Sequence, residues 1–328
     1  MYDVITVGSA TLDVFADTES ELIKIMTTHS EEDFLAYPSG SKIIIKELIF
    51  TTGGGGTNTA VSFSRMGLKT AYIGKVGNDE NGKRILSELE KEKVKFIGIK
   101  GSEMSGYSII LDSIEDDRTI LTYKGANDSL NFEDVKKSEL KTKWIYSSSM
   151  MGDSFTTIEK LAAYAKKKNI NFVFNPSSYL AKKGMSYLKK IISNTNVLVL
   201  NKEEANLILG LVDAGYEMLL NGLHIAGPQY VVITDGKGGV HAYDGKNAYF
   251  LPSHKINVVE TTGAGDAYAS GFVSALIKTD DFKLAMKVAM VNAESVLTHK
   301  GAKNKLLAWD EALARIKKEK FEFHHLKI

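Results

Sequence analysis

The chain has 328 residues, of which 44% are hydrophobic and 25% charged, with a formal net charge of +1 and no cysteine. This is enough chain for one large domain or two modest ones around a substantial core, in the composition of an ordinary globular protein. The near-neutral charge removes the electrostatic case for nucleic acid or an anionic membrane, and the missing cysteine excludes disulfides, thiolate metal sites and a cysteine nucleophile.

Met1-Tyr2-Asp3-Val4-Ile5 enters strand-like sequence with an acid at position 3, unlike a signal peptide. No apolar run approaches the ~20 residues that span a bilayer. The expected location is the cytoplasm. Residues 3–8 read as a buried strand ending at Gly8, with Asp13 just past its C-terminal end. In open α/β sheets that edge is where ligands bind, although an acid there also serves as a plain turn residue. Residues 14–52 break the strand–helix rhythm and finish in the β-rich stretch 42–50, an excursion that adds strands away from the main sheet.

Gly53-Gly54-Gly55-Gly56-Thr57-Asn58 then opens an amphipathic helix with Ala60, Val61, Phe63 and Met66 on its apolar side, ending at Gly67. Four glycines are costly to order. They suggest backbone lying against a ligand rather than a linker, with Asn58 supplying both donors and acceptors. A strand over 71–76 follows. Gly77-Asn78-Asp79-Glu80-Asn81-Gly82-Lys83-Arg84 nearly spells a phosphate-binding P-loop, but Arg84 stands where the magnesium-binding hydroxyl belongs, and Asp79 and Glu80 put negative charge in the cradle. It reads as a turn into a helix over 85–91. Residues 95–124 form a second β-rich excursion, with 107–111 and 118–123 as hairpin partners across 112–117. The two excursions, about 14–52 and 95–124, are expected to pair into a small sheet covering the site as a water-excluding lid. Its outer face would also serve as a homodimer surface. The chain's only arginines are Arg65, Arg84, Arg118 and Arg315; Arg118 is read as pairing with Asp116 or Asp117, the alternative being that it neutralises an anionic substrate from the lid.

From Trp144 the alternation is regular. Strands over 144–148, 171–174, 197–200 and 230–234 lead to Asn175, to Asn201 and Glu204, and to Thr234 and Gly236, with helices over 156–168 and 185–193 between. This predicts an α/β fold, a doubly wound, mainly parallel sheet flanked by helices, with 1–328 as one domain plus its lid. Strand character over 256–259 precedes Glu260-Thr261-Thr262-Gly263-Ala264-Gly265-Asp266, which turns into a helix at about Asp266. The first N–H groups of a helix make an anion site. A carboxylate there either caps the helix or takes a proton from the group attacking a phosphoryl in transit. Helices over 281–299 and 309–318 complete the chain. The adjacent His324 and His325 diverge, which argues against a metal pair.

Gly54-Gly55-Gly56-Thr57-Asn58-Thr59-Ala60 with Gly67 and Gly77 resembles the N-terminal signature of the PfkB, or ribokinase-like, carbohydrate and nucleoside kinases. Thr261-Thr262-Gly263-Ala264-Gly265-Asp266 with Gly271 resembles their C-terminal signature. The resemblance implies a ribokinase-like fold and transfer from ATP, with Mg2+. It makes Asp266 the catalytic base and the N–H groups of Gly263, Ala264 and Gly265 an anion hole. Asp13, Gly54, Gly55 and Asn58 would clamp the acceptor, with Asn175 at the same sheet edge. Asn201, Thr234, Gly236, Gly239 and Asn292 would hold the nucleotide, and Glu204 would organise Mg2+ through water. Three positions depart from the pattern. Glu260 replaces an Asp that takes part in a monovalent-cation site in related enzymes, leaving that cation open; Gly56 replaces the Lys of ribokinases proper; and Thr11-Leu12-Asp13 replaces Asn-x-Asp. The reading is a kinase acting on a hydroxymethyl group of a small sugar. The alternatives are a nucleoside kinase with Tyr107, Tyr123 or Phe132 stacking a base, a non-catalytic sugar-binding protein, or an oxidoreductase, which the missing G-x-G-x-x-G after the first strand weakens.

Overall fold

In this computed structural model, residues 1–18, 21–26, 31–112 and 118–328 are described. The main sheet has ten strands among these residues, in spatial order His324–Leu326, Ala248–Leu251, Val240–Tyr243, Tyr230–Thr234, Val197–Asn201, Asn171–Asn175, Trp144–Ser148, Val4–Val7, Thr70–Ile73 and Lys95–Phe96. The strands from Tyr230–Thr234 to Lys95–Phe96 pair in parallel, and the three at the other edge are antiparallel. The central strands are continuous apolar runs because helices cover both faces. Their side chains alternate between two cores. Val4, Tyr72, Tyr146, Val173 and Val197 pack under helices Gly55–Arg65, Ala264–Thr279 and Phe282–Leu297. Ile5, Val7, Ile145, Phe174 and Leu198 pack under helices Gly152–Lys167, Gly184–Ile192, Lys202–Leu209 and Tyr216–Ile225.

The parallel register sets the site. Val7 lies beside Ser147, Ser148 beside Asn175, and Asn201 beside Thr234, so the C-terminal ends of these strands share one edge.

The two excursions meet in one four-stranded sheet, in order Arg118–Tyr123, Gly106–Asp112, Thr11–Thr18 and Ile45–Gly53. The expected hairpin is present, with Tyr107 opposite Tyr123. The excursions' limits differ from expectation: Lys95–Phe96 joins the main sheet, and Ile99–Gly101 pairs with Lys75–Gly77 in a separate ribbon. The strand expected over 71–76 is therefore split at Gly74. Among the described residues, Glu21–Met26 and Glu31–Ala36 form a separate two-stranded ribbon. The pairing of Arg118 with Asp116 or Asp117 falls outside the described residues.

The near-P-loop is a helix start. Asp79 Oδ1 accepts from the Gly82 N–H at 2.7 Å and caps the helix Glu80–Lys91, which begins a turn earlier than its apolar pattern suggests. Residues 256–259 form no strand. The N–H groups of Val259 and Glu260 instead bond the Leu297 carbonyl at 2.8 and 3.2 Å, tying this segment to the end of helix Phe282–Leu297. Among the described residues, no helix is long and apolar enough to cross a membrane.

Candidate active site

Two helix N-termini converge at the sheet edge. Helix Ala264–Thr279 starts after Gly263, whose φ of +78° belongs to the left-handed region that favours glycine. A β-carbon on Gly263 would stand 2.4 Å from Ala302 Cβ, so the turn is glycine for two independent reasons. Gly265 faces open space, with nothing within 4 Å of a β-carbon built on it. Asp266 lies in the first turn, where the positive end of the helix favours its carboxylate. Gly271 lets this helix approach its neighbour closely: its β-carbon would meet Ala289 Cα at 3.0 Å.

The second helix, Gly55–Arg65, starts after Gly54, whose φ is +94° and whose β-carbon would strike the Ser9 carbonyl oxygen at 2.5 Å. Asn58, in its first turn, donates from Nδ2 to Asp266 Oδ2 at 2.9 Å. Gly55 closes the same corner: a β-carbon there would lie 3.0 Å from Ser148 Oγ and 3.3 Å from Asp266 Oδ1. Gly53 yields to Asp13, since its β-carbon would stand 1.8 Å from Asp13 Oδ2. Each glycine in the run has a local reason. None behaves as linker.

Asp13 is buried on Thr11–Thr18 with Ser108 as its cross-strand neighbour. Burial raises its carboxyl above the usual carboxylate range; the Thr11 and Ser108 hydroxyls and the Lys303 charge pull it back, and Glu260 opposes them. Burial likewise raises Asp266, against the Asn58 hydrogen bond and the Lys303 charge. Asp13 Oδ1, Asn58 Oδ1, Ser148 Oγ and Thr262 Oγ1 are all buried without a hydrogen-bond partner. Buried polar atoms are rarely left so. Orphaned acceptors and hydroxyls at the mouth of two helix starts suit a small polyhydroxylated molecule. Ser148 was not singled out from sequence; its only signal there is a hydroxyl ending a strand at the ligand-binding edge.

Farther along the edge, Asn201 and Glu204 form a reciprocal cap on helix Lys202–Leu209: the Glu204 N–H donates to Asn201 Oδ1 at 2.8 Å and the Asn201 N–H to Glu204 Oε2 at 3.0 Å. Burial pushes the Glu204 carboxyl up to about 7. Asn175 donates to the Val199 carbonyl at 2.7 Å and receives Tyr146 OH at 3.3 Å, so its amide is engaged on protein. Thr234 ends its strand with Oγ1 3.4 Å from the Leu200 carbonyl; Gly236 (φ +48°) and Gly239 (φ +88°) form the tight turn after it. A β-carbon on Gly236 would meet nothing within 4 Å, so this turn has an open flank.

Asn292 is placed differently from expectation. It is fully buried, with Nδ2 donating to the Ala267 carbonyl at 2.8 Å and Oδ1 accepting from the Leu307 N–H at 2.9 Å. That leaves no polar group for a nucleotide; the side chain pins three segments together. Glu260 is committed as well, its Oε2 accepting from the Gly301 N–H at 2.6 Å. Among the described residues, the one group of three His, Asp or Glu side chains close enough to hold a metal ion is His254, Glu294 and Glu319, which shares no residue with this site.

A sequence profile described as pfkB family carbohydrate kinase matches residues 3–309. Ribokinase of Haemophilus influenzae is 27% identical over 267 residues, covering 80% of this chain and 86% of its own. The nucleoside kinase of Methanocaldococcus jannaschii shares the fold at TM-score 0.78 and 23% identity, covering 97% of this chain and 99% of that one. Arabidopsis thaliana ribokinase, in complex with ribose and ATP, does so at TM-score 0.79 and 19% identity, covering 96% and 99%. The fold is thus the doubly wound, ribokinase-like one expected from the two glycine signatures. With the profile spanning nearly its full length, the chain belongs to the pfkB family of carbohydrate kinases.

Proposed function

We propose that this kinase transfers the γ-phosphoryl group of ATP to a hydroxymethyl group of a small sugar, with Asp266 as general base. One observation carries the reading: the Asp266 carboxylate, held by Asn58, sits at a helix start beside the buried, unpartnered Asp13 Oδ1, Asn58 Oδ1 and Ser148 Oγ. Asn58 fixes Oδ2, and Oδ1 is left to the acceptor hydroxyl. A carboxyl raised by burial takes a proton more readily than an exposed one, provided it stays ionised at the working pH. The hydroxyls next to the reacting one would satisfy Asp13, Asn58 and Ser148. The N–H groups of Gly263, Ala264 and Gly265 would receive negative charge on the phosphoryl oxygens, and such preorganised donors contribute about 3 kcal/mol each to a transition state. In-line transfer then needs positioning and electrostatics, without a covalent enzyme intermediate.

Mg2+ would enter with the nucleotide and neutralise charge on its phosphates. Glu204 is the residue of this chain that would help hold it. One carboxylate whose Oε2 is committed to the Asn201 N–H fits an ion held through water, not a protein cage. Thr234, Gly236 and Gly239 would cradle the nucleotide. The four-stranded sheet would act as the lid of a single domain, Asp13 and Ser108 facing the acceptor. Leu48, Phe50, Leu121 and Tyr123 alternate to its other face and are between 42% and 53% exposed, which supports a homodimer through that face. Phe50→Asp should then convert a dimer to a monomer in sedimentation equilibrium; a monomeric parent protein would contradict this. An ATP-consuming sugar kinase of this kind belongs in the cytoplasm.

Two of the three aromatic residues considered for stacking a nucleoside base lie on the far face of the four-stranded sheet. Tyr107 and Tyr123 oppose each other on the face away from Asp13, and Phe132 packs near the Lys137 and Lys160 ammonium groups. The test of the whole reading is ATP consumption over a panel of sugars and nucleosides. A hexose or pentose should be the best acceptor, and a panel on which no sugar is turned over would reject it.

Glu204 gives a pH prediction. Its carboxyl titrates at about 7 when folded, against an ordinary value of 4.5. The stability this shift contributes is therefore present below pH 4.5 and lost as pH rises through about 7. Glu204→Gln keeps the acceptor for the Asn201 N–H without the buried charge. It should raise stability at pH 8 by up to about 3 kcal/mol and leave it unchanged at pH 4.5, while weakening magnesium-dependent turnover. Thermal melts at the two pH values read the difference; equal gains at both would contradict the burial of a charge there.

A further inference from the structure

Lys303 has no part in the chemistry above, yet it is 6% exposed. Lysine is almost never this buried unless it is paired. Its Nζ donates to Thr52 Oγ1 at 2.7 Å and to Glu88 Oε2 at 2.7 Å, and its carbonyl accepts from Arg65 Nη1 at 2.8 Å. Arg65 is in turn paired with Glu92 through two hydrogen bonds, at 2.6 and 2.9 Å. Thr52 directly precedes Gly53, the glycine packed against the Asp13 carboxylate. Ala302, on the other side of Lys303 in sequence, is the residue that Gly263 packs against. The ammonium therefore sits where the two glycine turns of the site are braced from behind, in the wall of a cavity of about 460 Å³ between residues 50–52, helix Glu80–Lys91 and loop 301–304.

Among the described residues its ion-pair partner is Glu88, which keeps a third of its side chain exposed to water, so the pair offsets only part of the cost of burying the ammonium. A buried cation with so modest a partner needs another reason to be there. Its charge lowers the titration of both site carboxylates, against the rise that burial imposes on each. The other charged or titratable neighbours include Glu260 beside Asp13, Tyr146 beside Asp266, and Glu88, Glu92 and Arg65 beside Lys303, whose own titration burial lowers and Glu88 raises.

We infer that Lys303 is a positioning residue of the transfer reaction: clamped by Thr52 and Glu88, its ammonium is the fixed counter-charge that keeps Asp13 and Asp266 ionised and braces the two glycine turns around them. This rests on the kinase reading of the same site. It implies that the chain carries its own cation behind the acceptor pocket, at a position no glycine signature covers.

The test reads carboxyl 13C titrations of aspartate-labelled full-length protein, with the two signals assigned by Asp13→Asn and Asp266→Asn, alongside the pH profile of kcat/KM. Lys303→Met should raise both midpoints by about one pH unit, the usual effect of removing a nearby opposite charge. The acid limb of the profile should move with them, giving a roughly tenfold greater loss at pH 5 than at pH 8. Lys303→Arg should restore both. Glu88→Gln keeps a hydrogen-bond acceptor for the ammonium and removes the carboxylate that competes for its charge, so it should lower both midpoints. A merely structural clamp predicts the opposite pattern: Lys303→Met and Glu88→Gln lose stability alike and leave the midpoints where they were, which overturns the inference. If Lys303→Met does not fold, Glu88→Gln decides alone. The midpoints are read without turnover, so the two readings fail separately. Midpoints that shift in a protein phosphorylating no acceptor reject the kinase reading, whereas unmoved midpoints in an active kinase reject the role of Lys303.

Discussion

Asp266→Asn should lower kcat by about a hundred- to ten-thousandfold, the usual contribution of a positioned general base. The substitution is nearly isosteric, and the amide oxygen can still accept from Asn58 Nδ2, which now donates to Asp266 Oδ2 at 2.9 Å. The helix start and its N–H groups are untouched, so nucleotide affinity should stay within a few-fold of the parent. Thermal stability should hold or rise, because a carboxylate whose titration is raised by burial is replaced by a neutral group. A loss confined to kcat is the mark of an interaction made only in the transition state. Turnover within a few-fold of the parent would mean that Asp266 is a helix cap and nothing more.

The second large effect separates two glycines two residues apart. Gly263→Ala puts a β-carbon at φ +78° and 2.4 Å from Ala302 Cβ, so fold and activity should fall together, with stability down by about 2–4 kcal/mol. Gly265→Ala has open space and a helical backbone, and alanine is the better helix former by about 1 kcal/mol. It should melt at the same temperature or higher, yet phosphorylate at least tenfold more slowly, because the added methyl stands where the phosphoryl group would approach. Calorimetry and initial rates on the same preparations check both halves. A Gly265→Ala enzyme of full activity would place the anion away from this turn.

Much of this site could be read from residue order because glycine and aspartate act locally. Gly263 needs a positive φ and Gly53 must yield to Asp13, and such demands leave a mark at fixed positions. The parallel sheet was legible for a similar reason: strands buried on both faces are short apolar runs, such as Val4–Val7 and Val197–Asn201. What stayed hidden depends on partners distant in sequence. Ser148 matters only once Gly55 and Asp266 surround it, and Lys303 looks like any other lysine until Thr52 and Glu88 enclose it. Asn292 is the opposite case. The family resemblance suggested a nucleotide contact, whereas its amide bonds the Ala267 carbonyl and the Leu307 N–H. Ile256, Val258 and Val259 are β-branched, but the N–H groups of Val259 and Glu260 bond the Leu297 carbonyl instead of a strand, so tertiary context overrode their propensity.

A crystal structure of Asp266→Asn with a non-hydrolysable ATP analogue and the best acceptor from the panel tests the central claim most directly. The acceptor's hydroxymethyl oxygen should lie within hydrogen-bond reach, about 3 Å, of the residue 266 side chain, with its other hydroxyls on Asp13, Asn58 and Ser148 and the γ-phosphoryl group over the 263–265 amides. A nucleotide bound with its phosphates away from that turn, or an acceptor that leaves Asp13 and Asn58 unpartnered, would contradict the mechanism outright.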